Sequence, residues 1–166
     1  MINYNNKILE IQNALNKKLS IKRYQHTLGV SYTAGCLAMK YGIDVNKAIL
    51  AGLLHDCAKY MDGEEMLKKA KKFDIDISDA ESFKPDLLHA KLGAYYAKNK
   101  YNINDEDILS SIRWHTTGKP DMSLFEKIIY ISDYIEPSRD KMPRLELIRN
   151  TAFNNIDDCL KMILED

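Results

Sequence analysis

Cysteine is scarce in this chain: Cys36, Cys57 and Cys159 are the only three, and none belongs to a CxxC pair. An odd, scattered set argues against a disulfide framework and fits reduced thiols packed as small hydrophobes in a cytosol. With four prolines and seven glycines, the chain has no low-complexity tract, no linker and no internal repeat. Net charge is missing too, since 24 basic residues balance 24 acidic ones. Such a balance does not point to a nucleic-acid partner, although local cations can still bind a small anion. No apolar run approaches the roughly 20 residues that span a bilayer. The start, Met1-Ile2-Asn3-Tyr4-Asn5-Asn6, lacks a charged-then-apolar export pattern. The expectation is a soluble cytoplasmic protein with no membrane partner. Val/Ile/Thr-rich alternation long enough for a sheet is also lacking.

What is present is helical patterning. Ile8, Leu9, Ile11, Leu15 and Leu19 recur at helical spacing. Ser20 caps a second helix that carries His26, Val30, Ala34 and Leu37 and stops at Gly42. Asp44 opens a third, from Val45 to about Cys57. Asp62 and Glu65 resemble a capping box for a fourth, whose run Lys68-Lys69-Ala70-Lys71-Lys72 reads as a solvated face. The segment Phe73 to Lys84 is polar and irregular. Pro85 suits the first turn of a helix reaching about Tyr101, and Asn104 caps another running from Asp105 to about His115. Ser123 and Glu126 form a further capping box, for a helix through Asp133. A last helix, about Pro143 to Leu164, closes the domain. The reading is a single all-α domain over residues 1–166.

The apolar run Ala51-Gly52-Leu53-Leu54 ends in His55-Asp56, and Lys59 follows one turn later. The chain has four histidines: His26, His55, His89 and His115. Each stands beside residues that belong in a core. Asp133 ends the run Ile128-Ile129-Tyr130-Ile131, where an unpaired buried carboxylate would be very costly. A lone histidine on an apolar helix is more often a hydrogen-bonded structural residue. All four histidines with two such carboxylates form a donor set suited to iron, zinc, manganese or cobalt. Helix bundles build such sites from facing side chains.

The order His26, His55-Asp56, Asp133 resembles the HD superfamily of metal-dependent phosphohydrolases, and His89 with His115 matches the pattern of its binuclear members. Three segments are more specific: Leu54-His55-Asp56-Cys57-Ala58-Lys59, Trp114-His115-Thr116-Thr117-Gly118 and Asp133-Tyr134-Ile135-Glu136-Pro137-Ser138-Arg139. They resemble the YqeK family of symmetrical diadenosine tetraphosphate hydrolases. The resemblance implies an HD-type helical bundle with its metal-site core at about 20–140 and a closing helix at about 143–164. It implies two divalent metal ions. His26, His55, Asp56 and Asp133 hold the first; His89 and His115 hold the second, with Asp56 bridging. The family suggests iron; manganese, cobalt and zinc also suit the ligands. Cleavage of a dinucleoside polyphosphate through a metal-activated hydroxide would release two ADP.

Around these ligands, Lys59 is placed to meet phosphate and, with Asp56, is expected to be catalytic. Thr116, Thr117 and the Gly118 turn offer hydroxyl and backbone donors. Arg139 can fork onto a phosphate, and Arg23, almost one turn before His26, is a further candidate. Cys57 reads as a packing residue, because no histidine remains free to activate it. Two alternatives stay open: an HD-type nucleotidase or phosphodiesterase acting on another phosphorylated nucleotide, and a non-catalytic nucleotide sensor. A cyclic-dinucleotide phosphodiesterase is disfavoured by the lack of its Gly-Tyr-Pro signature. A homodimer is compatible with the apolar side of the last helix.

Overall fold

Ser20, Asp44, Asp62, Ser78, Asp105, Ser123 and Asn155 each place a side-chain oxygen on a backbone N–H at the start of a helix. These caps punctuate an all-helical chain. The computed structural model describes residues 4–139 and 142–166. The elements are α1 (Tyr4–Asn16), α2 (Ile21–Tyr41), α3 (Val45–Leu54), α4 (Gly63–Lys72), α5 (Asp79–Phe83), α6 (Leu88–Asn99), α7 (Glu106–Trp114), α8 (Leu124–Ile135), α9 (Leu145–Ala152) and α10 (Ile156–Glu165). A 3₁₀ turn, Pro85–Leu87, leads into α6. No strand occurs among the described residues, and none of their helices is long and apolar enough to cross a membrane.

Helices α2, α3, α7 and α8 pack around one centre, with α6 laid against α7. Leu50, Leu53, Leu54, Ile112, Ile128 and Ile129 fill it without solvent exposure. At about 1.5–3 kcal/mol for each such side chain, the core can offset the several kcal/mol that a buried charge costs. A smaller cluster of Ala58, Met61, Met66, Ala70, Leu88 and Leu92 joins α4 to α6. Helices α2 and α3 approach closely at Gly52, where a Cβ would stand 2.7 Å from Ser31 Cα. The backbones of α2 and α3 therefore touch, and α3 cannot carry a larger residue there.

Several sequence expectations change in detail. Helix α3 stops at Leu54, not near Cys57, because the His55 imidazole takes the Gly52 carbonyl that the residue-56 N–H would bond in a continuing helix. The chain proceeds in tight turns, Cys57 N–H to Leu54 and Lys59 N–H to Asp56. Asp105, not Asn104, caps α7 through its carboxylate. The irregular 73–84 stretch contains α5, held by a Ser78–Glu81 capping box. The expected closing helix is two helices: Asn155 leaves helical geometry at φ −146° and turns its side chain onto the N–H groups of Asp157 and Asp158. Leu9, counted as apolar patterning in α1, faces solvent. The lysine run of α4 has Lys68, Lys71 and Lys72 exposed and Ala70 buried, as a solvated face should.

Candidate metal centre

Five helices and one turn deliver six side chains to one point. His26 comes from α2 and His89 from the first turn of α6. His55 and His115 sit at the C-caps of α3 and α7, and Asp133 comes from α8. All four imidazoles and Asp56 are buried.

The orientation of each ring follows from its local backbone. The Nδ1–H of His55 donates to Gly52 O at 2.6 Å, that of His115 to Ile112 O at 2.7 Å, and that of His89 to Asp86 O. Each acceptor lies three residues back, so helical geometry itself fixes the ring. His26, mid-helix, has no spare carbonyl and donates through Nδ1 to Glu136 Oε1 at 3.1 Å. All four rings therefore turn Nε2 inward, the arrangement in which an outer hydrogen bond sets the tautomer of a metal-binding histidine.

Asp56 divides the cluster. Its Oδ2 lies 3.4 Å from His55 Nε2 and 3.9 Å from His26 Nε2. Its Oδ1 lies 3.3 Å from His89 Nε2 and 3.6 Å from His115 Nε2. Asp133 Oδ1 stands 3.1 Å from His26 Nε2 and 3.9 Å from His55 Nε2. Three ligand sets result, each with its donor atoms within 4.8 Å of one another: His26, His55 and Asp56; His55, His115 and Asp133; Asp56, His89 and His115. The Nε2 atoms of His26 and His55 are buried and make no hydrogen bond. Unsatisfied buried imidazole nitrogens beside carboxylate oxygens fit a divalent cation, which would take both.

Electrostatics agree with that fit. Burial would raise both aspartates, yet His55 and His115 hold Asp56 well below the usual carboxylate range, and His26, His55 and His115 do the same for Asp133. Both are anions. Burial, then the neighbouring His115, pushes His89 down to about 3, leaving it a neutral donor. Burial would also lower His26 and His115, but Asp133 outweighs it at His26 and Asp56 at His115, and both rise. Burial, followed by the charge of Asp56, pushes the Cys57 thiol up to about 12, which leaves no thiolate for nucleophilic attack.

Of the expected phosphate contacts, Arg23 reaches deepest: its Nη1 donates to Asp56 Oδ2 at 2.8 Å. Lys59 Nζ is 3.1 Å from His89 Nδ1. Thr116 Oγ1 is 3.1 Å from Nε2 of both His89 and His115. Arg139 is exposed and shares a cavity of about 280 Å³ with Arg23 and His26. Thr117 and Gly118 are placed differently: they line a separate cavity against Leu160 and Leu164. The Thr117 hydroxyl donates to the Gly118 carbonyl.

Sequence reasoning missed Glu136. It is 1% exposed, orients His26, and accepts from Ser138 through both backbone N–H and hydroxyl at 2.7 and 2.8 Å. Its signal was its spacing: three residues after Asp133, it falls on the same helix face.

A family model described as HD domain matches residues 23–138. A protein of Halalkalibacterium halodurans named symmetrical bis(5'-nucleosyl)-tetraphosphatase is 45% identical over 86% of this chain and 75% of its own length. One of the same name from Bacillus subtilis is 40% identical over 88% and 77%. A crystal structure of a Clostridium acetobutylicum protein, described as a predicted HD superfamily hydrolase involved in NAD metabolism, superposes with a TM-score of 0.91. It is 41% identical and is matched over 99% of this chain and 85% of its own. The arrangement of histidines around one shared aspartate and these matches lead to the same place: the chain belongs to the HD-domain family and, within it, to the YqeK group of symmetrical bis(5'-nucleosyl)-tetraphosphatases.

Proposed function

We propose that the protein hydrolyses diadenosine tetraphosphate at its central anhydride and releases two ADP in the cytoplasm. The observation that carries this reading is Asp56, whose two oxygens face two different histidine pairs. His26, His55, Asp56 and Asp133 would hold one divalent ion, and His89 and His115 a second, with Asp56 shared. Iron is the proposed metal, with manganese, cobalt or zinc as substitutes. Such ions supply Lewis acidity to phosphate oxygens and acidify water.

The reaction balances simply. Water adds to one inner phosphorus, the bond to the central bridging oxygen breaks, and its electron pair leaves with the second ADP. Arg23 and Lys59 neutralise charge along the phosphate chain, and Arg139 binds it farther out. The Thr116 hydroxyl, held between His89 and His115, orients water or a phosphate oxygen. Thr117 and Gly118, turned toward α10, are left out of this assignment.

The test is to incubate metal-loaded protein with diadenosine tetraphosphate and resolve the nucleotides. ADP as sole product is expected. AMP with ATP would overturn the symmetrical assignment, and no turnover with any of the four metals would overturn the hydrolase reading.

A further inference from the structure

Lys18, Lys22, Arg23, Lys59 and Arg139 line two cavities that meet at Ser20 and Arg23. The first cavity, described above, runs toward Lys22 and Arg139. The second, of about 400 Å³, runs the other way past Lys18, Lys59 and Tyr60. It differs in kind. Its floor is Met61 and Met66, both buried, and its wall is Tyr60, which is 39% exposed. The exposed residue Asp86 stands at its edge. Lys18 Nζ lies 4.6 Å from the centre of the Tyr60 ring. Lys100 is crowded against Lys18: burial, then that neighbour, lowers its ammonium pKa. Among the described residues neither lysine has a carboxylate partner.

We propose that this second cavity is a nucleoside half-site, with Tyr60 as the platform for the base. An aromatic wall over a thioether floor accepts the flat π-face of any nucleobase. Arg23 and Lys59 lie toward the metal ligands and take the diphosphate; Asp86 accepts from a ribose hydroxyl or an exocyclic amine. Lys18 and Lys100 form an unpaired positive rim that draws the polyanion in. Arg23 is common to both cavities and bonded to Asp56, so the midpoint of a symmetrical dinucleotide falls over Asp56 with one half on each side. The inference rests on the dinucleotide-hydrolase reading, which it deepens.

Calorimetric titration of metal-loaded protein with ADP and with inorganic pyrophosphate tests it. Tyr60→Ala should weaken ADP roughly tenfold and leave pyrophosphate unchanged, a loss within the range that base stacking on an aromatic ring supplies. Tyr60→Phe should restore wild-type ADP affinity. In steady state, Tyr60→Ala should raise KM for the dinucleotide with kcat within about twofold. Equal losses for both ligands, or no loss for ADP, would overturn the half-site. Should Tyr60→Ala fail to fold, Lys18→Glu on the exposed rim decides: severalfold weaker ADP supports the proposal, and unchanged ADP refutes it. A wild-type protein that binds ADP in this Tyr60-dependent way yet does not cleave the dinucleotide would refute the hydrolase reading alone.

Discussion

A methyl group on Gly29 would come within 2.5 Å of Glu136 Oε2. Glycine at this position of α2 is what lets the Glu136 carboxylate lie against the helix and reach His26 Nδ1. Gly29→Ala should push Glu136 aside and free the His26 ring. Outer-shell losses of this kind cost about 10–100-fold in metal affinity. Competition with a fluorescent chelator measures it; wild-type affinity in Gly29→Ala would show that Glu136 does not position His26.

Asp56 and His89 should behave differently when changed. Asp56 touches both halves of the cluster, so Asp56→Asn is expected to lose metal from both and abolish turnover. His89 touches one half, so His89→Ala is expected to lose one ion and keep the other. Metal analysis of the purified proteins decides. A full metal complement in Asp56→Asn would reject the shared carboxylate.

The metal-free protein should be most stable near pH 6.5. Above that value, His26 and His115, whose pKa values are raised from 6.5, hold protons that the unfolded chain releases. The folded state thus loses stability as pH rises through their folded values. Below it, the unfolded chain protonates His89 at its ordinary 6.5, whereas the buried ring waits until about 3. Stability therefore falls again toward acid. Thermal melts of chelator-treated protein from pH 5 to 9 check the shape. A melting temperature that climbs steadily to pH 9 would contradict it. Metal binding displaces the same protons, so affinity should rise over the alkaline half of this range.

Arg149 secures the end of α8 from α9. Its Nε donates to Ile135 O at 2.9 Å and its Nη2 to Glu136 O at 2.8 Å. Arg149→Ala should cost about 1–3 kcal/mol, since it strips charged donors from two carbonyls of buried residues. Chemical denaturation reads this directly. A loss below a few tenths of a kcal/mol would mean that water replaces both bonds.

The histidines and Asp133 were legible because a polar residue in an apolar helical run asks for a partner, and partners of matching chemistry recur along the chain. The caps at Ser20, Asp44 and Ser123 were legible for the same local reason. Glu136 was not: its spacing from Asp133 was outweighed by Pro137 and Ser138, which read as loop, and its burial depends on the space beside Gly29. The end of α3 was misread because nothing in the sequence announces that an imidazole will take a backbone carbonyl. The break at Asn155 was passed over because apolar spacing continues across it from Ile148 to Ile156 and Ile163. Thr117 was grouped with Thr116 by adjacency, but the turn after α7 sends the two hydroxyls to different places.

The contact of α2 with α3 at Gly52 has a bearing on which ion the protein keeps. His26 and His55 hang from these two helices, with ring centres 5.4 Å apart. Because the helices meet backbone to backbone, that span cannot relax by swapping rotamers. It is a calliper cut in main chain. First-row transition ions bond imidazole at about 2.0–2.1 Å, whereas calcium asks for oxygen ligands at about 2.3–2.6 Å. Two imidazole nitrogens at a set span should therefore favour a transition ion over calcium, and a larger side chain at position 52 should widen the jaws.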